Sequence, residues 1–291
     1  MRNPVMVASG TFGYGVEYAQ LLDLERLGAI VVKGVSLAPW DGNRTPRHVE
    51  VPGGMLNAIG LQNPGVDGFV GKYLPELRAS RVPVIVNIWG RTLDEYAAVA
   101  EKLSDIEGIS GLEINISCPN IKEGGIAFGT DLRMAAQVVA AVRARTRLPL
   151  LTKLAPNVTD IRAFARAVAE NGSDAVSLIN SYPAMAIDIE TRRPLLANVT
   201  GGLSGPAIHP IAVKLVYEAA QAVRIPIVAM GGITSAREAI EFIIAGATAV
   251  AVGTATFTDP ETALKVVDGI NDYLARHAVA RVTDLVGTVR I

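Results

Sequence analysis

Short apolar runs rich in β-branched residues alternate with helical patterns along the whole chain. This alternation is typical of βα units that build a parallel sheet. The pattern predicts eight strands, at residues 4–9, 29–35, 82–88, 111–117, 148–154, 174–180, 226–230 and 249–253. Eight repeats without a predicted antiparallel run favour an α/β fold of the closed (β/α)8 TIM barrel type over an open doubly wound sheet.

Three of the predicted strand-to-helix connections are long, at residues 36–64, 119–130 and 182–209, whereas the helix-to-strand returns are tight. Loops longer than about 12–15 residues are usually functional. In a TIM barrel the catalytic loops follow the carboxyl ends of the strands. We therefore expect long loops and a site at that face, and we expect residues 1–291 to form a single domain because no low-complexity linker interrupts them.

Polar residues stand at or just beyond the ends of six otherwise apolar predicted strands. A buried polar group without a partner costs several kcal/mol, so these side chains are expected to converge on one opening and meet a ligand there. A strand-end lysine needs an anionic or electron-rich partner unless it reaches solvent. The residues are Ser9, Lys33, Asn87, Asn115, Lys153 and Asn180.

Glycines follow the last two predicted strands, as Gly231-Gly232 and Gly253-Thr254. Glycine lets backbone N–H groups approach a phosphate near a helix N-terminus, where the helix dipole also favours an anion. A third glycine-rich segment, which includes Gly205, follows strand six. The joint placement predicts a phosphate site.

The single cysteine, Cys118, directly follows the fourth predicted strand. A lone cysteine is more often a small buried apolar residue than a catalyst. Here it lies at the expected active face, and a thiol of ordinary pKa about 8.5 accepts a proton once it is ionised. The histidines, His48, His209 and His277, lie away from the strand ends, so Cys118 is the best available base.

Composition narrows the class of protein. Half of the 291 residues are hydrophobic and 19% are charged, which suits a parallel sheet covered on both faces. The formal net charge is −1 and no dense basic block occurs, so nucleic acid is not an expected partner. One cysteine excludes an internal disulfide, a four-cysteine iron–sulfur cluster or a cysteine-rich zinc site, and no metal is expected.

The apolar stretches give no membrane segment. Residues 242–257 are too short for a bilayer span and are interrupted by glycine, so they predict a helix end followed by a strand. The first apolar run, residues 4–9, is too short for a signal-peptide core. The expected location is therefore the cytoplasm, with no membrane partner.

Seven segments carry a family resemblance, in this order: Ala8-Ser9-Gly10-Thr11-Phe12-Gly13, Val32-Lys33-Gly34, Gly54-Met55-Leu56-Asn57-Ala58-Ile59-Gly60-Leu61-Gln62-Asn63, Asn115-Ile116-Ser117-Cys118-Pro119-Asn120, Leu151-Thr152-Lys153-Leu154, Gly231-Gly232 and Gly253-Thr254. They resemble the class I dihydroorotate dehydrogenases over nearly the whole chain. The third segment is most similar to the NAD-linked B-type catalytic subunit. One departure is that family members have a longer segment before the equivalent of Asn3-Pro4, which covers the bottom of the barrel.

The resemblance implies one FMN per chain and assigns residues to it and to the substrate. The expected FMN contacts are Ser9, Lys33, Gly34, Asn87, Asn115, Lys153, Ile179, Gly205, Gly231, Gly232, Gly253 and Thr254. The expected contacts to dihydroorotate or orotate are Lys33, Asn57, Ala58, Ile59, Gly60, Leu61, Asn115, Asn180 and Ser181. Amide side chains match the ring amides of this substrate, and a lysine matches its carboxylate.

The resemblance also implies the reaction. Cys118 removes the C5 proton of (S)-dihydroorotate, the C6 hydride passes to the flavin, and orotate forms for pyrimidine biosynthesis. Cys118, Lys33 and Lys153 are the expected catalytic residues, Lys153 because a cation stabilises negative charge on the flavin. The class II enzymes are less similar, since they carry serine at the base position and a membrane-binding extension before the barrel.

The same resemblance implies that electrons leave through a second subunit, which carries FAD and a [2Fe–2S] cluster and passes them to NAD, and that two copies of this chain form the core of a heterotetramer. Three alternatives stay open. A fumarate-linked A-type enzyme shares the cysteine and both lysines. A flavin-dependent tRNA dihydrouridine synthase would need a basic tRNA-binding face. A non-catalytic phosphate-binding barrel would bind no flavin.

Overall fold

The computed structural model describes residues 1–117 and 125–291, the last range without the side chains of residues 125–127. Eight parallel strands form a closed barrel in which each strand pairs with its sequence neighbours and the last pairs with the first. They are β1 (Val5–Val7), β2 (Ala29–Val35), β3 (Val84–Ile88), β4 (Gly111–Asn115), β5 (Leu150–Lys153), β6 (Ala175–Leu178), β7 (Ile227–Ala229) and β8 (Ala249–Val252). The predicted TIM barrel is confirmed, with all eight strands inside or at their predicted positions.

From β2 onward helices lie between successive strands, whereas only the 3-10 turn Leu24–Arg26 lies between β1 and β2. Neighbouring helices pack side by side around the barrel. Several begin at a capping side chain that accepts a hydrogen bond from the first turn, as Thr92, Asp131 and Asp160 do. The helical segments are Gly65–Gly68, the π-helical Phe69–Tyr73, Leu74–Ala79, Leu93–Ser104, Gly125–Thr130, Leu132–Arg143, Ile161–Glu170, His209–Ala220, Ala236–Ala245 and Thr262–Arg276. Short 3-10 turns occupy Leu24–Arg26, Pro206–Ile208, Thr254–Phe257 and Val282–Leu285. Within the described ranges, no helix is long and apolar enough to span a bilayer.

The strands divide their side chains between two buried regions because successive residues point to opposite faces. One set, which includes Val5, Ile30 and Val86, joins the large cluster that the helices cover. The alternate set forms a separate cluster inside the barrel: Met6, Ala8, Ala29, Val31, Ile85, Leu151, Ala175, Val228, Met230, Ala249 and Ala251. The same alternation turns the polar residues near the carboxyl ends of the strands toward the barrel mouth.

Two of the long loops build an antiparallel sheet over that mouth, so the expectation of no antiparallel run is wrong. Its strands are ordered His48–Val51, Gly54–Asn57, Gly201–Ser204 and Tyr182–Ala184, and a small hairpin pairs Ile187–Asp188 with Arg193–Pro194. We call the four-stranded sheet the cap sheet. Its strands are short and partly exposed, and its two central strands contain glycine. The central pairing joins segments that are far apart in the sequence. No local apolar pattern therefore predicts this sheet.

Candidate active site

Glu113 lies at the centre of the polar groups in the barrel mouth. Its side chain is 1% exposed, and its Oε2 accepts hydrogen bonds from Asn87 Nδ2 at 2.6 Å and from Ser9 Oγ at 3.2 Å. Its other oxygen, Oε1, accepts from Ser177 Oγ at 2.8 Å. Asn87 stands directly opposite Glu113 in the register of β3 and β4, which is why the two side chains meet inside the barrel.

Lys153 ends β5 and is also buried, at 5% exposure. Its ammonium donates to Ser9 Oγ at 3.3 Å and lies 4.0 Å from Glu113 Oε2. Ser9 therefore contacts both the cation and the carboxylate. This arrangement compensates two buried charges that would each be costly alone.

A second line of hydrogen bonds runs from the same network to the end of β6. Asn115 Nδ2 donates to Asn87 Oδ1 at 3.3 Å, and the backbone N–H of Ser117 donates to Asn115 Oδ1 at 3.3 Å. Asn180 Nδ2 donates to Ser117 Oγ at 2.9 Å, and Asn180 Oδ1 accepts from the backbone N–H of Ser181 at 2.8 Å. The structure thus brings five predicted residues, Ser9, Asn87, Asn115, Lys153 and Asn180, into one connected set.

Lys33 points inward from β2 but is separate from this network. Its ammonium has no hydrogen-bond acceptor or ion-pair partner among residues 1–117 and 128–291. Burial lowers the pKa of Lys33 below its ordinary value, the charge of Arg47 lowers it further, and the more weakly acting Glu17 raises it. A partly buried ammonium in this position is suited to an anionic ligand.

The glycines after β7 form a tight cradle. Gly231 and Gly232 have φ of +132° and +69°, and a Cβ at either would lie within 3 Å of a neighbouring atom: 2.9 Å from Ala212 Cβ or 2.7 Å from His209 Cβ. His209 Nδ1 lies 2.9 Å from the Gly231 carbonyl oxygen and braces the turn. No side chain larger than hydrogen fits at either position, because neighbouring protein atoms already occupy the Cβ positions and both φ values favour glycine.

The other two predicted phosphate-binding segments lie beside this cradle. The Gly205 carbonyl oxygen is 2.9 Å from the position of a Cβ on Gly232. Thr254 Oγ1, next to Gly253, donates to Ser204 Oγ at 2.8 Å. The loops after β6, β7 and β8 therefore converge at one corner of the mouth.

The substrate segment predicted at residues 57–61 begins in the cap sheet. Asn57 Nδ2 donates to the carbonyl oxygen of Gly202 at 3.3 Å, and the Ala58 N–H donates to the carbonyl oxygen of Arg47 at 2.7 Å. Leu61 Cδ2 lies 3.6 Å from the position of a Cβ on Gly34. Ile59 and Gly60 complete the segment between them. The segment therefore reaches from the cap sheet to the end of β2.

Two further predicted residues are placed and one is not. Ile179 is buried beyond the end of β6, and its N–H donates to the Met230 carbonyl oxygen at 3.1 Å. Ser181 follows Asn180 directly before the cap-sheet strand Tyr182–Ala184. Cys118 lies outside the described residues, and Ser117 is the last described residue before it.

Sequence reasoning missed Glu113 and Ser177. Both lie inside strands, whereas the predicted site residues stand at or beyond the ends of the predicted strands. The signal was available in the sequence: Glu113 precedes Asn115 by two positions, and residues two apart in a strand share a face. A charged residue in an otherwise apolar strand on the same side as a predicted ligand contact marks a buried network.

The described residues fit a flavin phosphate cofactor on two counts. Gly231 and Gly232 carry no side chain that would cover their backbone, and the loops after β6, β7 and β8 converge there and lead into helical segments, whose first N–H groups suit an anion. The rest of the mouth offers amide donors and acceptors together with two ammonium groups. This donor set suits a planar ring with alternating polar edges and a ligand carboxylate.

Comparison with known proteins shows the family of the chain. The family model described as dihydroorotate dehydrogenase matches residues 1–274. A dihydroorotate dehydrogenase B (NAD(+)) catalytic subunit from Geotalea daltonii is 57% identical over 291 residues, covering 100% of this chain and 95% of the relative. Proteins of the same name from Geotalea uraniireducens and Geobacter sulfurreducens are 56% and 55% identical, over 99% and 100% of this chain and 95% of each relative.

Proposed function

The chain belongs to the dihydroorotate dehydrogenase family, and from this premise we propose that it is the catalytic subunit of an NAD-linked dihydroorotate dehydrogenase. It oxidises (S)-dihydroorotate to orotate in pyrimidine biosynthesis. The observation that carries the proposal is 57% identity along the entire chain to a relative of that name. The polar network in the barrel mouth supplies side chains suited to the chemistry.

We propose that the 291 residues form one FMN-binding barrel domain. The phosphate of FMN would be held by Gly205, Gly231, Gly232, Gly253 and Thr254. The flavin ring would be held by Ser9, Lys33, Gly34, Asn87, Asn115, Lys153 and Ile179. When bound, FMN supplies the acceptor for the C6 hydride of dihydroorotate. Support comes from the Cβ-free cradle after β7 and from the inward-facing amides of β3 and β4.

The substrate would lie between the cap sheet and the barrel. Lys33 supplies a cation for the carboxylate of the substrate, and Asn57, Asn115 and Asn180 supply amides for its ring, with Ala58, Ile59, Gly60, Leu61 and Ser181 completing the pocket. Support comes from the cap-sheet register, in which Gly201–Ser204 pairs with Asn57 on one side and with Tyr182, the residue after Ser181, on the other. The cap sheet excludes water from a flat ring held below it.

The proton at C5 would be removed by Cys118. The residue before it, Ser117, is fixed by Asn115 and Asn180, so the described chain leading to Cys118 is held in the mouth. A positioned base of this kind contributes about 10²–10⁴-fold to a rate. Lys153 places positive charge in the same mouth, where it stabilises negative charge that develops during the reaction.

We propose that electrons leave through a partner subunit with FAD and a [2Fe–2S] cluster, which delivers them to NAD, and that two copies of this chain form the centre of a heterotetramer. Support comes from the words "catalytic subunit" in the names of the relatives. With one cysteine, these 291 residues cannot supply a four-cysteine cluster.

The flavin absorbance spectrum of the purified chain is the first test. We expect a bound flavin that bleaches when dihydroorotate is added without oxygen and recovers its colour when an electron acceptor is supplied. Bleaching by dihydroorotate and not by dihydrouracil, which lacks the carboxylate, would support the assignment of Lys33. A purified chain without flavin absorbance, and with no gain of absorbance on incubation with FMN, would contradict the proposed function.

A further inference from the structure

We propose that Glu113 is a positioning residue of this site, which fixes the Lys153 ammonium and orients the Asn87 amide in the barrel mouth. The inference rests on the proposed function in one respect, that the mouth binds FMN. It concerns a residue to which neither the family resemblance nor the strand-end pattern assigns a role.

The burial and contacts of Glu113 argue that it is more than a core residue. It is 1% exposed, and both of its oxygens are used: Oε2 by Asn87 and Ser9, and Oε1 by Ser177. A buried carboxylate is retained only where hydrogen bonds and a nearby cation replace the lost water. Here the cation is Lys153, 4.0 Å away.

The first consequence is a fixed position for Lys153. Ser9 Oγ accepts from the ammonium and donates to Glu113 Oε2, so it bridges the two charges. An ammonium carries three donors, and the contacts to Ser9 and Glu113 hold it from one side. The remaining donor capacity is left for a ligand in the mouth.

The second consequence is an order of donors and acceptors. An ionised carboxylate only accepts hydrogen bonds, so Asn87 must turn its Nδ2 toward Glu113. Its Oδ1 then accepts from Asn115 Nδ2 at 3.3 Å, and Asn115 Oδ1 accepts from the Ser117 N–H. Glu113 thereby sets the orientation of Asn87, and the Ser117 N–H, which can only donate, sets the matching orientation of Asn115.

The third consequence concerns the midpoint potential of bound FMN. Glu113 and Lys153 form an opposite pair, so their combined formal charge is zero. Replacing Glu113 with Gln leaves the Lys153 cation without its compensating charge. An uncompensated cation favours the reduced cofactor, which carries more negative charge, and the midpoint potential of bound FMN rises.

The test is the midpoint potential of FMN in Glu113→Gln, measured by anaerobic equilibration with a reference dye. We expect the equilibrium constant for two-electron reduction to rise about tenfold or more, which is a positive shift of about 30 mV. Glu113→Asp, which keeps the charge, should shift the potential much less. An unchanged potential in Glu113→Gln would overturn the proposal.

Thr152→Val is the matched control. Thr152 is fully buried in β5 next to Lys153, but it faces the other way and its Oγ1 lies 2.8 Å from Ser173 Oγ. The variant removes a buried polar group from the same strand without touching the mouth. It should lower stability and leave the potential unchanged, and an equal shift in this control would assign the effect to general loosening of the barrel and overturn the proposal.

A second measurement keeps the idea testable if Glu113→Gln folds poorly. The free energy of unfolding is measured for Glu113→Gln, Lys153→Met and the double variant, all without cofactor. If the two charges compensate each other, the double variant should lose less stability than the sum of the losses in the two single variants. The difference should correspond to about a tenfold change in the unfolding equilibrium constant. Additive losses would overturn the pairing. This cycle needs no flavin, so its result stays separate from the failure of the proposed function.

Discussion

Asn180 Nδ2 donates a hydrogen bond to Ser117 Oγ at 2.9 Å and thereby ties the end of β6 to the end of the chain segment that leads out of β4. Ser117 is also held by Asn115, since its N–H donates to Asn115 Oδ1. Two proposed ligand contacts therefore fix the residue that precedes Cys118. Cys118, the proposed base, therefore directly follows a residue that hydrogen bonds fix at the barrel mouth.

Cys118→Ser is expected to bind FMN normally and to be reduced by dihydroorotate about 10²–10⁴-fold more slowly, because an alcohol is a far poorer base than a thiol. Stopped-flow absorbance of the flavin measures this rate directly. In the wild-type protein the rate should rise with pH toward the ordinary thiol pKa of about 8.5. Serine-variant rates near wild type would remove Cys118 from the mechanism.

Asn180→Ala tests the anchor separately from the base. It removes the bond to Ser117 but leaves the thiol in place, so flavin reduction should slow while the dependence of the rate on pH keeps its shape. Orotate affinity should also fall, because the amide is a proposed substrate contact. Asn171→Ala is the matched control: it removes another amide, whose Nδ2 donates to the Ala167 carbonyl oxygen at the end of the helix Ile161–Glu170, and it should leave both quantities unchanged. A changed pH profile in Asn180→Ala would show that the amide acts on the base itself.

The barrel and part of this network could be predicted from the sequence because both depend on local patterns. Strands buried on both faces give apolar runs, and polar strand ends such as Asn87 and Lys153 stand out against them. The cap sheet could not be predicted, since Gly54–Asn57 and Gly201–Ser204 pair across a long stretch of chain and neither has a strand-like pattern. Glu113 lies in the interior of β4, where a pattern of polar strand ends gives no signal.

Lys33 gives a prediction about pH. Burial and the charge of Arg47 lower its pKa below 10.5, and the protonated ammonium is the form that attracts the carboxylate of orotate. Affinity for orotate should therefore be constant below the pKa of Lys33 and fall as pH rises through it. The dissociation constant follows from the change in flavin absorbance on orotate binding across alkaline pH.

Two variants identify Lys33 as the titrating group. Arg47→Gln removes one cause of the lowered pKa, so the fall in affinity should move to higher pH. In Lys33→Arg the guanidinium stays charged throughout this pH range. The fall in orotate affinity that comes from deprotonation of Lys33 should therefore be absent in this variant. An identical alkaline fall in Lys33→Arg would assign the titration to another group.

Gly232→Ala tests the cradle. Its φ of +69° disfavours alanine, and the new Cβ would lie 2.7 Å from His209 Cβ and 2.9 Å from the Gly205 carbonyl oxygen. We expect a loss of about 1–3 kcal/mol in stability and weaker binding of FMN, measured by thermal unfolding and by flavin release on dilution. Gly71→Ala is the control, because Gly71 is exposed in a helical segment with no atom within 4 Å of the new Cβ. It should be neutral or gain up to about 1 kcal/mol.

The route of the electrons gives the last prediction. These 291 residues contain one cysteine and show no Gly-x-Gly-x-x-Gly run after a strand, so they offer neither a cysteine-ligated cluster nor the usual NAD-binding turn. The purified chain should therefore reduce artificial dyes with dihydroorotate, reduce NAD negligibly, and gain NAD reduction when an FAD and [2Fe–2S] partner subunit is added. Fumarate in place of NAD is the discriminating control, because an A-type enzyme turns over with fumarate and needs no partner. Efficient NAD reduction by the chain alone would contradict the need for a second subunit, and efficient fumarate turnover would move the chain from the B-type to the A-type enzymes.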